Sequence, residues 1–475
     1  MDKENKLIQQ RKDKIEELKK SGIYPYGERF DATSLIGKSK DNYAEGKEVS
    51  LSGRILAVRE HGKTVFFDLK DSSGKIQLYA GKKVLGEEKF EFLKKLDIGD
   101  FIGAKGTLFK TRTEEITLKL SELKILAKSL RPLPEKWHGL KDVETRYRHR
   151  YVDLIVNDNV KAVFKTRAKV ITAIRQSLDE DGFLEVETPM MHEIAGGAAG
   201  KPFKTHHDAL HCDLFLRIAP ELYLKKLLVG GFEKVYEINR SFRNEGISPK
   251  HNPEFTMLEA YQAYSDCNGM MELTERIIRK AAIAALGKEE ITFGDKNISL
   301  EKWEKVSFAE LMKNNFGITA EDSTENWIKK IKAKGIKIEG KDVSRTQIIN
   351  IVGDLIEPET ANHPVFVVDM FKELSPLAKT KKDNPLLADR FELYIGGMEV
   401  ANAYSELNDP IEQKERFQEQ GGKYDKDFVR ALEHGMPPAG GLGIGIDRLI
   451  MLLTNSANIR DVILFPQLKP EKKSV

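Results

Sequence analysis

Alternating apolar and polar residues mark a series of short strands in the first third of the chain. The segments VSLSGRILAV (49–58), TVFFDLKD (64–71) and KIQLYA (75–80) follow the two-residue period of strands with one buried face. The DSSG cluster (71–74) predicts the turn between the second and third strands. Further strand and turn patterns fill residues 101–126. Short strands separated by regular turns are typical of a small closed β-barrel.

The pattern changes on both sides of this barrel, which indicates several structural regions. We assign residues 1–40 to an N-terminal helical segment and residues 41–130 to a barrel of the oligonucleotide-binding type, the OB-fold. Residues 131–145 include RPLPEKWHGL, whose prolines and glycine predict a linker. Helices and strands mix over residues 146–475 without a βαβ repeat, which favours an antiparallel sheet flanked by helices and an α+β fold class. The Lys-rich residues from about 266 to 350 are predicted to form a peripheral helical insertion.

One strand pair of the barrel places aromatic and polar groups on its outer face. If residues 71–74 form the turn, Phe66 lies opposite Tyr79 and Asp68 lies opposite Gln77. An exposed ring beside an amide can stack on an unpaired base and read its edge, and Arg54 could hold a phosphate nearby. The same spacing equally fits a cross-strand aromatic pair that only stabilises the sheet.

The segment FRNEGISPKHNPEFTMLEAY (242–261) predicts two strands joined by a loop that contains glycine and proline. Alternation places one set of charged and aromatic residues around a single hollow: Arg243, Glu245, Phe255, Glu259 and Tyr261. A salt-bridged sheet face would explain the charges but neither the rings nor the long loop. We therefore predict a ligand site.

The segment GGLGIGIDRLIMLLT (440–454) predicts a strand followed by a helix. Gly441, Gly443 and Gly445 remove the side chains from one face of the strand, so a flat ligand could approach the backbone. Tight packing of strands would also explain this spacing. We expect Asp447 to cap the helix and Arg448 to begin it, where a cation suits a phosphate or an adenine ring.

The segment RFELYIGGMEVANAYSELNDP (390–410) supplies candidate acidic groups. Asn402, Tyr404 and Glu406 alternate and should share one face. Paired carboxylates beside phosphates are typical ligands of Mg²⁺, and Glu392 and Glu399 are the candidate pair. Glu399 has the wrong parity for this face, so the metal interpretation requires a β-bulge. Without a bulge, Glu399 would be a surface carboxylate.

Composition adds limits rather than a function. The chain has 475 residues, a formal net charge of +3 and 32% charged residues, which predicts a soluble protein and argues only weakly for a polyanionic partner. Its two cysteines form no metal-binding motif, and a reducing, cytoplasmic setting fits them. We find no apolar signal segment and no apolar run that would span a membrane.

Taken together, the motifs resemble those of the class II aminoacyl-tRNA synthetases, and most closely the lysyl-tRNA synthetases. FLEVETPMM (183–191), FRNE…HNPEF (242–255) and GLGIGIDR (441–448) resemble the three class motifs and occur in the same order. GGAAGKPF, THHDAL, RIAPELYLK and NAYSELNDP are similar to segments of the lysine-specific members. The likeness runs from the barrel to the C-terminus.

The resemblance implies an ATP site and a magnesium site. Arg243 would hold the α-phosphate, and Phe255 and Arg448 would enclose the adenine ring. The residues implied to bind ATP are Arg243, Glu245, His251, Asn252, Phe255 and Arg448. The residues implied to act in catalysis are Arg243, Arg448, Glu392 and Glu399, of which the two glutamates would bind Mg²⁺.

The resemblance also implies L-lysine and tRNA(Lys) as partners of a cytoplasmic homodimer. Tyr261 and Glu406 would meet the ε-ammonium group of lysine, and we expect Glu406 to stay unpaired when a neutral side chain is bound. The residues implied to bind lysine are Gly197, Glu221, Arg243, Glu259, Tyr261, Asn402, Tyr404 and Glu406. Phe66, Gln77 and Arg54 would contact the anticodon.

Three other interpretations fit parts of this pattern. An aspartyl- or asparaginyl-type synthetase would need cationic groups for its amino acid, whereas this site offers Glu406. A ligase that transfers lysine to a protein would lack the barrel of residues 49–126. An RNA-binding scaffold without activity would be expected to lack Arg243, Arg448 or Glu392, and all three are present.

Overall fold

The computed structural model describes residues 3–134, 140, 142–198, 200–338, 343–355, 362–421 and 424–471. The chain divides into two compact units, Met1–Lys141 and Asp142–Val475. The predicted linker 131–145 falls partly on residues 135–139 and 141, which lie outside the described residues. The other predicted domain boundaries stay predictions.

The first unit is a closed five-stranded barrel with the strand order β1-β2-β3-β5-β4. Its strands are β1 (Glu48–His61), β2 (Thr64–Lys70), β3 (Lys75–Gly81), β4 (Phe101–Lys110) and β5 (Ile116–Ala127). Its helices are α1 (Lys3–Lys20), α2 (Ile36–Asp41), α3 (Lys82–Leu85) and α4 (Glu87–Leu93). Val65, Phe67 and Leu69 point into the barrel and are buried, as their alternation predicts. The predicted OB-type barrel is therefore confirmed.

The second unit combines many helices with one large sheet. Its helices are α5 (Val143–Arg148), α6 (Arg150–Val156), α7 (Asp158–Glu180), α8 (Glu221–Val229), α9 (Cys267–Leu286), α10 (Phe308–Phe316), α11 (Thr324–Ala333), α12 (Arg345–Val352), α13 (Pro410–Gln420), α14 (Lys426–Glu433) and α15 (Ile446–Leu453), with 3₁₀ turns at Gly353–Leu355, Lys372–Leu374 and Ile459–Asp461. Its strands are β6 (Leu184–Glu185), β7 (Met191–His192), β8 (Lys204–His207), β9 (Cys212–Leu216), β10 (Lys234–Phe242), β11 (Glu254–Ala263), β12 (Glu290–Phe293), β13 (Lys296–Ser299), β14 (Glu304–Ser307), β15 (Val365–Phe371), β16 (Leu387–Ile395), β17 (Met398–Ser405) and β18 (Ala439–Gly445). Across the described ranges, we find no helix that is both long and apolar enough to cross a membrane.

The large sheet has eight strands in the order β14-β15-β16-β17-β18-β11-β10-β6. Its central strands are antiparallel, and the edge pairs β14–β15 and β6–β10 are parallel. The predicted antiparallel sheet with flanking helices, and the α+β class, are confirmed. Smaller sheets are formed by β12-β13 and β7-β9-β8.

One face of this sheet packs on the main hydrophobic core. Leu258 and Ala260 of β11 are fully buried there with residues of α7, α9 and α15. Because neighbouring strand residues point to opposite faces, Glu259 and Tyr261 lie on the other face. The core thus fixes the sheet, and the opposite face carries the predicted site.

The predicted peripheral insertion at about 266–350 is only partly correct. Helix α9 begins it, and its residues Met270 and Ile277 are fully buried in the main core, so this part is not peripheral. The prediction relied on the Lys-rich segment that follows α9 and overlooked the apolar spacing of this twenty-residue helix. Helices α10, α11 and α12 instead contribute to a separate apolar cluster with β15.

Candidate active site

The sheet brings the predicted site residues together in rows that cross strands β11, β18, β17 and β16. The first row is Glu259, Gly443, Asn402 and Glu392. The second row is Tyr261, Gly441, Tyr404 and Arg390. Because β18 contributes only glycine to each row, the middle of this face has no side chains. The rows therefore surround a hollow whose floor is backbone.

Gly441 shows why the floor must stay bare. A Cβ atom at this position would overlap Glu406 Oε1 and would lie 2.6 Å from the Tyr261 ring. Atoms cannot approach so closely, and neither neighbour can move far because both are buried. The close approach of Glu406 to the strand backbone therefore requires glycine here.

One end of the hollow is strongly acidic. Glu221, Glu259 and Glu406 are all buried, although two of them come from distant segments of the chain. Glu221 is the first residue of helix α8, as predicted from the preceding proline. Burial, together with the charge of Glu221, raises the pKa of Glu259 to about 8. Such a cluster favours cationic ligands.

We expected Glu406 to stay unpaired when a neutral side chain is bound. This expectation is wrong, because Glu406 already has a counter-charge from the protein itself. Lys225 Nζ contacts Glu406 Oε2 in an ion pair and donates a hydrogen bond to Glu221 Oε1 at 2.6 Å. Lys225 lies one helical turn after Glu221, so it shares the face of α8 that points into the cluster. Glu406 Oε1 nevertheless has no hydrogen-bond partner among the described residues, so this buried oxygen could still accept a bond from a ligand.

Two tyrosines complete the acidic end. The Tyr261 hydroxyl donates to Glu259 Oε2 at 3.1 Å, and the Tyr404 hydroxyl donates to Glu221 Oε1 at 2.5 Å. Burial and the neighbouring carboxylates raise the pKa of both hydroxyls, so both stay protonated and act as donors. They hold the carboxylates in place without adding charge.

The opposite end of the hollow carries the arginine and the aromatic ring predicted from the hairpin. Strand β10 ends at Phe242, three residues before the predicted end at Glu245, so Arg243 and Glu245 lie in the loop after it. The Arg243 guanidinium lies over the Phe255 ring, 5.1 Å from its centre. Its Nε is buried and has no hydrogen-bond partner among the described residues. This donor is available to an anionic ligand.

Arg448 lies at the same end, near the start of helix α15. Its Nη1 contacts Glu399 Oε2 at 3.2 Å, and its Nη2 lies 3.1 Å from His251 Nε2. Burial and the charge of Arg448 lower the pKa of His251, so the ring is neutral and its Nε2 accepts. Asn252 is buried, and its Oδ1 lacks a partner among the described residues.

Asp447 does not cap helix α15, contrary to the prediction. Gly445 holds the cap position, and Asp447 lies inside the first turn. Its carboxylate accepts hydrogen bonds from Arg167 Nη1 at 2.5 Å and from the Thr256 backbone nitrogen at 2.7 Å. Asp447 thus joins α15 to strand β11 and fixes the position of Arg448 next to it.

The bulge that Glu399 requires is present in strand β17. Leu393 pairs with Ala401 but Tyr394 pairs with Glu399, so Val400 is an extra residue. The extra residue reverses the parity before Asn402. As a result, Glu399 and Glu392 interact, and burial together with the charge of Glu399 raises the pKa of Glu392 against the opposing effect of Arg390.

These two carboxylates fit a magnesium ion only with help from another ligand. In the described part of the chain no group of three or more histidine, cysteine or acidic residues is arranged to hold a metal. Glu392 and Glu399 provide hard oxygen donors. Their charges repel each other, and a nearby cation would relieve this repulsion. Mg²⁺ commonly takes one or two carboxylates and completes its shell with substrate phosphates and water.

Gly197 lies beside the acidic end. Its backbone has a φ of +88°, which side chains strongly disfavour, and an added Cβ would lie 3.1 Å from the Glu221 Cβ. The turn at Gly197 therefore brings backbone groups next to Glu221, as the lysine-site prediction requires.

In the barrel, the predicted register of the outer face is confirmed. Phe66 pairs with Tyr79 and Asp68 with Gln77, and the two rings lie 5.3 Å apart. Phe66 and Gln77 are both only half-buried. Arg54 lies farther along β1, opposite Lys70, where its guanidinium covers the Phe101 ring at 4.1 Å.

Comparison with known proteins places this geometry in a family. Residues 142–469 match the family described as tRNA synthetases class II (D, K and N), and residues 49–126 match the OB-fold nucleic acid binding domain. The lysine–tRNA ligase of Pelotomaculum thermopropionicum is 54% identical over 98% of this chain and 96% of its own length. The chain belongs to the lysine–tRNA ligase family. Other lysine–tRNA ligases, from Carboxydothermus hydrogenoformans (54% identity, 98% of both chains) and Moorella thermoacetica (51% identity, 100% of both chains), agree.

Membership of the lysine–tRNA ligase family confirms the resemblance drawn from the three motifs and the enzyme class that it implied. The roles of single residues stay predictions. The structure adds two charged residues that the motifs did not single out, Lys225 and Arg390. Arg390 donates to Glu392 Oε1 at 2.6 Å and to Asn402 Oδ1 at 3.1 Å. Its position two residues before Glu392 on one strand was a signal for both contacts.

Proposed function

We propose that the chain activates L-lysine with ATP to form lysyl-adenylate and transfers the lysyl group to the 3′ end of tRNA(Lys). The observation that carries this proposal is the buried Glu406, whose Oε1 lacks a partner at the acidic end of the hollow. A primary ammonium group would donate to that oxygen and also match its negative charge, which an uncharged side chain cannot do. The names of the relatives support lysine and tRNA as substrates.

In the first step, a carboxylate oxygen of lysine attacks the α-phosphorus of ATP. The bond between the α-phosphorus and the bridging oxygen breaks, and pyrophosphate leaves. Arg243 holds both the α-phosphate and the lysine carboxylate, and Asn402 assists at the carboxylate. Because the substrate brings its own nucleophile, the protein contributes positioning and compensation of negative charge.

In the second step, the 3′-hydroxyl of the terminal ribose attacks the carbonyl carbon of lysyl-adenylate. AMP leaves with the electron pair of the broken C–O bond, the hydroxyl proton is released, and lysine becomes an ester of the tRNA. Phe255 and Arg448 enclose the adenine ring, Glu245 accepts from its amino group, and His251 and Asn252 line the phosphate end.

The lysine itself is bound through both of its ammonium groups. Glu221, Glu259 and the backbone at Gly197 hold the α-ammonium group, and Tyr261, Tyr404 and Glu406 hold the ε-ammonium end. Glu392 and Glu399 would hold Mg²⁺ on the phosphates, where the ion supplies charge neutralisation.

We further propose that the protein works in the cytoplasm as a homodimer. The segment that resembles the first class motif supports the dimer, because it lies at an edge of the large sheet and exposes apolar side chains. Leu184 is 48% exposed and Met191 is 52% exposed. Exposed apolar groups beside a sheet edge are typical of a surface that pairs with another chain.

The central experiment is ATP–pyrophosphate exchange with each amino acid supplied in turn. We expect exchange with lysine and none with aspartate or asparagine. The acidic end repels the side-chain carboxylate of aspartate, and the uncharged side chain of asparagine leaves the charge of Glu406 without a partner on the ligand. Exchange driven by aspartate, or charging of tRNA with an amino acid other than lysine, would contradict the proposal.

A test of the anticodon role concerns Phe66. We expect Phe66→Ala to lower the rate of tRNA charging by about tenfold or more, because stacking of a base on an aromatic ring contributes about 1–3 kcal/mol. Lysine-dependent pyrophosphate exchange should stay within about twofold of the unsubstituted protein, since it needs no tRNA. Both rates are measured on the same preparation.

Phe109→Ala is the matched control. Phe109 is another half-buried ring that contacts Tyr79, with its centre 6.0 Å away. If Phe66 serves only the aromatic pair, both substitutions should affect charging and thermal stability alike. If Phe66 stacks on a base, Phe66→Ala should have the clearly larger effect on the KM for tRNA.

A further inference from the structure

Lys225 is the one buried cation in contact with the acidic end of the hollow among the described residues. Its side chain is completely buried, and its Nζ bonds Glu221 and contacts Glu406. The rings of Tyr404 and Phe428 lie 5.4 Å and 6.0 Å from Nζ. The opposing acids overcome the cost of burial and raise the pKa of Lys225, so the ammonium group stays charged.

The titratable groups around Lys225 come from several elements. They are Glu221 on α8, Glu259 and Tyr261 on β11, Tyr404 on β17 and Glu406 after it. The charge of Arg243 also acts on Glu259, and the charge of Arg390 acts on Tyr404. Other nearby acids are neutralised separately: Glu237 pairs with Arg217 at 2.6 Å, and Asp427 pairs with Lys226 at 2.9 Å.

These contacts allow a count of the charges in the occupied site. Three buried carboxylates face one buried ammonium group, so two negative charges remain once all three carboxylates are ionised. An amino acid with an ammonium group at each end supplies two positive charges. The carboxylate of the same amino acid then meets Arg243. Buried charges are stable only when each has a partner, so this balance matters for binding.

We propose that Lys225 sets the specificity of the site by neutralising one of the three carboxylates, which leaves two for the two ammonium groups of a diamino acid. The inference rests on the proposed function. Lys225 acts through Glu221 and Glu406 and is a positioning residue, since its ion pairs orient both carboxylates and its charge opposes the rise in the pKa of Glu406. The only sequence signal for this role of Lys225 is its four-residue spacing from Glu221.

Removing the charge should therefore weaken lysine binding in a way that depends on pH. In Lys225→Gln the amide can still donate hydrogen bonds, but Glu221 and Glu406 lose their shared cation, and Glu406 retains a proton to higher pH. Lysine must displace that proton. We expect the KM for lysine at pH 7 to rise by about tenfold for each unit by which the carboxylate pKa increases.

The decisive measurement is the pH profile of lysine-dependent pyrophosphate exchange between pH 6 and pH 9. For Lys225→Gln we expect the KM for lysine to fall back toward the unsubstituted value as the pH rises, while the KM for ATP stays within about twofold throughout. Lys225→Arg keeps the charge and should keep the unsubstituted pH profile. A role in packing alone would shift neither profile.

Lys226→Gln is the matched control. Lys226 is the next residue on the same helix, but it pairs with Asp425 and Asp427 outside the acidic end. This variant should leave the KM for lysine and its pH profile unchanged.

Two results would overturn the inference. One is a KM for lysine within about twofold of the unsubstituted value in Lys225→Gln at pH 7. The other is an equal rise at every pH, with Lys225→Arg impaired as much as Lys225→Gln. If Lys225→Gln does not fold, a changed pH profile in Lys225→Arg would overturn it as well. Failure of the proposed function is a separate result, because the unsubstituted protein would then show no exchange with lysine.

Discussion

Replacing Arg243 by glutamine is expected to slow lysine-dependent ATP–pyrophosphate exchange by about a thousandfold, or about 4 kcal/mol of transition-state stabilisation. Negative charge builds on the α-phosphate as the lysine carboxylate attacks it, and Arg243 is a half-buried cation whose buried Nε has no hydrogen-bond partner among the described residues. Burial lowers the pKa of Arg243 yet leaves it charged, because an arginine cannot lose its proton near neutral pH.

The loss should appear mainly in kcat, since the guanidinium bonds most strongly when the charge has developed. Arg240→Gln is the control: Arg240 lies on strand β10, three residues before Arg243, but it is exposed and lies 3.9 Å from Glu254. Rapid-quench measurement of adenylate formation separates chemistry from product release. An Arg243→Gln enzyme that formed adenylate at the unsubstituted rate would remove Arg243 from the mechanism.

The second large effect is expected for Glu406→Gln. Loss of one member of a buried ion pair costs about 3–5 kcal/mol, so kcat/KM for lysine should fall by a factor of about two hundred to five thousand. The KM for ATP should change little, because Arg243, Phe255 and Arg448 lie at the other end of the hollow. Exchange assays with either substrate varied give both values.

Glu415→Gln removes an exposed carboxylate from nearby helix α13 and should have no effect on either constant. Because Lys225 keeps Glu221 as a partner, Glu406→Gln should still fold, which thermal unfolding can establish. Equal losses for lysine and ATP would indicate a structural defect, and unchanged lysine activation would exclude Glu406 from recognition of the ε-ammonium group.

Local rules predicted the parts of the structure that local geometry determines. The DSSG turn fixed the register of two strands, so the partners of Phe66 and Gln77 followed from counting residues. The parity of Glu399 conflicted with the face on which a metal ligand was needed, so the metal interpretation required a bulge. The structure has this bulge at Val400. Both inferences used distances of only a few residues.

Long-range contacts determined what the sequence left open. Asp447 fits a helix cap by its neighbours, but Arg167 and the Thr256 backbone draw it into the helix–strand junction. Lys225 meets Glu406 only because helix α8 packs against strands β10 and β11 of the same sheet, and nothing near residue 406 indicates this. The fold and the grouping of the candidate residues on one sheet face could thus be predicted, whereas the charge partners inside the site could not.

Strand β18 leaves two successive rows of the hollow without a side chain. A substitution that shortens a side chain at the side of a cavity enlarges the cavity, but the glycines of β18 have no side chain that could be shortened. At this point the space for the amino acid is already as large as the sheet allows. A variant that accepts a longer or branched amino acid must therefore arise through Tyr261, Tyr404 or Glu406 on the flanking segments, and attempts to widen the cavity through β18 should fail.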